Sequence, residues 1–82
     1  VVEVVSPAHR THDLVTKRRE YERAGIREYW IVEPHVESVT VLALPEGGVR
    51  YAEHGRFGRG DVATSPLVPS LRVDVAALFD AR

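Results

Sequence analysis

Cysteine is absent from these 82 residues. That excludes a disulfide framework and any thiolate metal site, and it suits a reducing cytoplasm. Methionine is absent too, even at position 1. No apolar run approaches the ~20 residues that cross a bilayer, and no signal peptide is visible in these residues, so no membrane partner is expected. The formal net charge is only −1, which gives no global pull toward nucleic acid. Any such contact would need a local cluster, such as Arg10, Lys17, Arg18, Arg19 and Arg23. No Gly-x-Ser-x-Gly elbow and no Walker loop occur, and Ser6 precedes a proline. Serine-hydrolase and P-loop chemistry therefore lack support. There is no internal repeat and no linker.

With 44% hydrophobic and 28% charged residues, the composition is that of one small globular unit rather than a disordered chain. The chain opens inside an apparent strand with no turn or cap before it, a rare start for a domain because a strand needs partners at its edges. Residues 1–82 are therefore expected to be the C-terminal part of a larger single domain.

Val1 to Val5 is a β-branched run broken only by Glu3, the pattern of a strand covered on both faces. Ser6-Pro7-Ala8-His9 ends it. A helix is predicted over 11–24, capped by Thr11 or His12, with Asp13 in its first turn and Gly25 as its left-handed stop. Residues 28–33, Glu-Tyr-Trp-Ile-Val-Glu, read as the next strand. Strand, helix and strand make a βαβ unit whose two strands should be parallel neighbours. After Pro34, residues 38–44 and 49–53 flank the turn Pro45-Glu46-Gly47-Gly48 and read as an antiparallel hairpin. Gly55 to Gly60 reads as a basic, glycine-rich loop. In the proline-punctuated tail, Asp74 should cap a short helix carrying Val75, Leu78 and Phe79.

Helical neighbours lie three and four residues apart, so Leu14, Lys17, Tyr21 and Ala24 form one stripe facing the core. Thr16, Arg19, Glu20 and Arg23 fall on the opposite side. An ammonium among apolar neighbours costs several kcal/mol unless paired, and the obvious partner is Glu3. The pair has two readings: a hydrolytic site at the carboxyl end of a strand, or a structural ion pair. Lys17 could orient an attacking water or neutralise charge on a phosphate oxygen, or simply snorkel. Asp13, one turn before Lys17, reads as a structural helix pair. His9 and His12 are spaced for chelation, but solvated loop positions fit them better, and His35 and His54 stand alone. Gly55-Arg56-Phe57-Gly58-Arg59-Gly60 precedes no helix N-terminus, which argues against a phosphate loop. Tyr29 and Trp30 read as core.

The ordered set Val2-Glu3-Val4-Val5-Ser6-Pro7, Asp13, Lys17, Tyr21, Ala24-Gly25, Glu28-Tyr29-Trp30-Ile31-Val32-Glu33-Pro34 closely resembles the Uma-two family of restriction endonucleases, within the PD-(D/E)XK nuclease superfamily. The likeness continues through Val39-Thr40-Val41, Gly60-Asp61-Val62, Ser65-Pro66-Leu67 and Val73 to Leu78-Phe79. It implies an α/β, restriction-endonuclease-like mixed sheet and Mg²⁺-dependent (or Mn²⁺-dependent) cleavage of DNA. By resemblance Glu3 would be a metal ligand and a catalytic residue, and Lys17 the catalytic cation. The superfamily's lysine usually stands two residues after the second acid, where this chain has Val5; the family moves it to the following helix. The first acid, in a Pro-Asp, would lie upstream of Val1, and no Pro-Asp occurs in this chain. Glu3 alone should hold Mg²⁺ poorly, so the chain carries about half of a site. Arg18, Arg56 and Arg59 are candidate phosphate contacts. The alternatives are a non-catalytic nuclease-fold binding module and a homodimer formed through the edge at Val1 to Val5.

Overall fold

The computed structural model describes the backbone of residues 1–6 and 10–81 and the side chains of 1–6 and 14–81. In chain order the elements are β1 (Val2–Val4), α1 (Arg10–Arg23), β2 (Glu28–Glu33), β3 (Ser38–Ala43), β4 (Ala52–Phe57), β5 (Val62–Thr64), β6 (Arg72–Asp74) and α2 (Val75–Asp80). One mixed sheet has the order β1-β2-β3-β4, and β5 and β6 form a second, two-stranded sheet. β1 runs parallel to β2, with Glu3 opposite Ile31, as the βαβ reading requires. β3 runs antiparallel to both of its neighbours, β2 and β4.

Period-two alternation sorts the sheet's side chains onto two faces. Tyr29, Ile31 and Leu42 join Tyr51 in one buried cluster, onto which Val5, Leu14 and Tyr21 pack. That is the α1 face. Trp30, Val32, Val39 and Val41 form the opposite face and bury against Ala63, Val75 and Phe79. Asp74 caps α2 as expected, accepting a hydrogen bond from the Ala77 amide at 3.2 Å.

Four expectations shift. β1 is an edge strand among the described residues, and Val2 and Val4 are 62% and 68% exposed rather than covered. The layer built from β5, β6 and α2 lies over β2 and β3 and does not reach them. The hairpin's second strand starts later and runs through Phe57, so Gly55-Arg56-Phe57 is strand rather than loop. Its register slips between Val41 and Leu42, leaving His54 as the extra residue of a bulge. A Cβ at Gly55 would lie 2.6 Å from the Phe57 ring, which is why a glycine stands inside this strand. Thr11 and His12 lie within α1 and do not cap it. Ala24 is exposed, because the helix has already ended.

That ending is a Schellman motif. The Ile26 amide donates to the Tyr21 carbonyl and the Gly25 amide to the Glu22 carbonyl, each at 3.1 Å. Gly25 sits at φ +71°, with open space where a Cβ would go, so an alanine there meets only the intrinsic left-handed penalty. We expect Gly25→Ala to lower unfolding free energy by about 1–2 kcal/mol, measured by urea denaturation, with secondary structure unchanged in far-UV circular dichroism.

Candidate active site

Glu3 shares the α1 face of the sheet with Val5, at the margin of the Tyr29–Ile31–Leu42–Tyr51 cluster. α1 carries two donors to it from successive turns. Lys17 Nζ lies 3.0 Å from Glu3 Oε1, and the Tyr21 hydroxyl donates to the same oxygen at 2.6 Å. The partner expected for Lys17 is therefore the one it meets. Tyr21 is held in turn by an edge-to-face contact with Tyr29, ring centroids 5.0 Å apart. Both bonds end on Oε1; Oε2 accepts none among the described residues. The side chains of Lys17 and Glu3 remain 33% and 22% exposed, so the pair is reachable from solvent.

The hydrogen bond from Tyr21, followed by that from Lys17, holds the Glu3 carboxyl below its ordinary range despite partial desolvation. The same bond pushes the Tyr21 hydroxyl upward. Sequence reasoning had placed Tyr21 only as a core ring. Its position four residues after Lys17 was the available sign that its hydroxyl could reach the same carboxylate.

One carboxylate oxygen, Glu3 Oε2, accepts no hydrogen bond among the described residues. No group of three or more His, Asp or Glu side chains converges among the described residues, so these residues do not complete a Mg²⁺ shell. His9 and His12, read as solvated loop residues, and the Asp13–Lys17 pair involve side chains outside the described residues. His54 is spent on Thr64 at 3.0 Å, and His35 lies 3.9 Å from Glu33.

The remaining cations divide sharply. Arg59 binds both Glu37 and Asp80, which fastens the 58–61 turn to α2 and occupies the guanidinium. Arg56 is exposed on β4. Arg18 donates to the Tyr51 carbonyl at 3.1 Å, beside Glu22, which accepts the Tyr51 amide at 2.7 Å. Glu22 is a buried carboxylate that the helical stripe did not single out. Its bond to the Tyr51 amide, aided by Arg50, keeps it readily ionised.

The family model described as "Putative restriction endonuclease", Uma2, matches residues 1–76. The chain belongs to the Uma2 family. Its fold is similar to a crystal structure described as "a putative nuclease belonging to DUF820 from Anabaena variabilis", with a TM-score of 0.73 at 17% identity. The match covers 98% of this chain and 42% of that one, so the chain spans less than half the length of that protein. No curated protein matches. Membership of Uma2 agrees with the family resemblance drawn from the ordered residues, and the fold likeness agrees with the mixed α/β sheet. Among the described residues no helix is long and apolar enough to cross a membrane.

Because the folded-state pKa of Glu3 lies below its ordinary value of 4.5, its pairing stabilises the fold above that value. The contribution fades as pH falls through the folded-state pKa. In Tyr21→Phe the larger of the two depressing hydrogen bonds is gone. We expect the Glu3 carboxyl resonance to titrate at higher pH than in the parent protein, read by carbon-detected NMR, with acid unfolding starting correspondingly earlier.

Proposed function

We propose that the full-length protein is a Mg²⁺-dependent nuclease that hydrolyses phosphodiester bonds in DNA. Glu3 and Lys17 are this chain's share of its active site. The observation that carries the reading is the asymmetric use of the Glu3 carboxylate: Lys17 and Tyr21 fix Oε1, and Oε2 is left to take a metal. Uma2 membership and the nuclease-like fold support it. An aspartate from outside these 82 residues would join Glu3 as a second carboxylate. When bound, the metal would supply Lewis-acid activation of water and phosphate.

Each residue of the chain then has a defined task. Tyr21 and Lys17 orient Glu3 so that one oxygen faces outward, as hydrogen-bonded partners commonly orient metal ligands. The Lys17 ammonium, one-third exposed, offers a hydrogen bond and a positive charge to a phosphate oxygen as negative charge grows on it. Its contact with Glu3 holds it in place. The absence of cysteine fits a reducing compartment such as the cytoplasm.

A second reading has its own observation. Glu3 and Lys17 satisfy each other, and the described residues alone complete no metal shell, as a purely structural pair in a non-catalytic module would also do. Cleavage separates the two. In the full-length protein with Mg²⁺ or Mn²⁺, we expect Glu3→Gln and Lys17→Ala each to lower plasmid cleavage by at least about 100-fold while circular dichroism stays unchanged. Removal of the metal with EDTA should abolish it. Wild-type cleavage rates in either variant would exclude the assignment.

A further inference from the structure

α1 meets the rest of the molecule along two flanks. Lys17 reaches β1 on one side, and Arg18 and Glu22 reach Tyr51 on the other. At ~100° per residue, Arg19 and Arg23 stand roughly 200–240° around the helix from Lys17, beyond the Glu22 flank. There they line an open cleft of about 360 Å³ with Glu22, Val49 and Arg50. An adjoining hollow of about 220 Å³ adds Val15 and Arg18.

Four guanidinium groups thus gather around one carboxylate. Glu22 is already satisfied by the Tyr51 amide, with Arg50 at 3.4 Å and Arg18 at 3.7 Å. Arg19 and Arg23 form no hydrogen bond or ion pair among the described residues, although like charges one turn apart repel. Neither Glu20 nor Glu46 lines the cleft. The Arg50 side chain is 71% exposed, so it can turn toward a ligand without abandoning a buried position. Guanidinium forks converging on an open cleft match the oxygens of a phosphate.

We propose that this cleft seats a backbone phosphate of a polynucleotide on Arg19, Arg23 and Arg50, as a docking contact separate from the Glu3–Lys17 pair. The shared chemistry is phosphate; the choice of a polynucleotide over a free anion rests on the nuclease reading. The two sites lie on opposite flanks of one helix, about 10 Å across, so one bound strand can span both.

The test uses the full-length protein in EDTA, which prevents cleavage, and a labelled mixed-sequence DNA duplex followed by fluorescence anisotropy. Arg19→Gln/Arg23→Gln should flatten the slope of log affinity against log salt by about 2. The advantage of the parent protein should therefore shrink about tenfold between 50 and 200 mM salt. Arg27→Gln/Arg72→Gln removes the same charge away from the cleft and should leave the slope nearly unchanged. Arg19→Lys/Arg23→Lys retains both charges and should keep the parent slope, which guards against misreading a folding defect. An unchanged slope in the glutamine variant, or equal flattening in the control, overturns the proposal. So does loss of inorganic phosphate binding with duplex affinity intact, which would mark a small-anion site. If the parent protein binds through Arg19 and Arg23 yet never cuts with Mg²⁺, only the nuclease reading fails.

Discussion

A carboxylate placed in an apolar strand must be satisfied by whatever crosses over it, and in this molecule α1 does so with a phenol and an ammonium on the same oxygen. An unpaired buried or half-buried charge would cost several kcal/mol, so these two bonds constrain how the helix can lie. They fix its rotation over β1, and the ring that donates one of them is the ring that packs edge-on against Tyr29. From Tyr29 the packing runs directly into Ile31, Leu42 and Tyr51. At the far flank the Arg18–Glu22 pair takes both backbone polar groups of Tyr51, the carbonyl by Arg18 and the amide by Glu22. α1 is therefore held by apolar packing along its middle and by charged hydrogen bonds along both margins. The geometry of the candidate site and the seating of the helix are one set of contacts.

The parts of this arrangement that depend on near neighbours were readable in the sequence. Helical spacing alone turned Lys17 inward and proposed Glu3 as its partner. Gly25 announced the left-handed stop, and Asp74 the cap of α2. What escaped depends on residues distant in the chain. A run of valines does not say which of its faces another layer will cover, and Val2 and Val4 are exposed because β5, β6 and α2 settle over β2 and β3. The hairpin's second strand was placed short of its true extent because the His54 bulge and the seat of the Phe57 ring on Gly55 arise only when β3 is alongside. Glu22 drew no attention in the helical pattern, since its main partner lies 29 residues later. The same limit applied to the site. A tyrosine in a helical stripe looks like core until its hydroxyl is seen to end on a carboxylate, and Arg50 joins Arg19 and Arg23 only through the turn before β4.

The resulting charge distribution bears on function more than the net value of −1 does. Arg59 is consumed by Glu37 and Asp80, and Arg18 by Tyr51 and Glu22. Arg19 and Arg23 are left on the outward side of α1. A nearly neutral chain can present a concentrated positive surface when its acids pair with some cations and leave others, and local potential of that kind steers a polyanion.

The Glu3 cluster also fixes what pH dependence a nuclease built on it can have. Tyr21 and Lys17 depress the Glu3 carboxyl from its ordinary value of 4.5, so the carboxylate is ionised throughout the neutral range. Tyr21 is shifted the other way and stays protonated there, able to donate. Both groups thus keep the form the site requires across neutral pH, and neither titrates under working conditions. On the acid side, protonation of Glu3 would weaken the contact that seats α1.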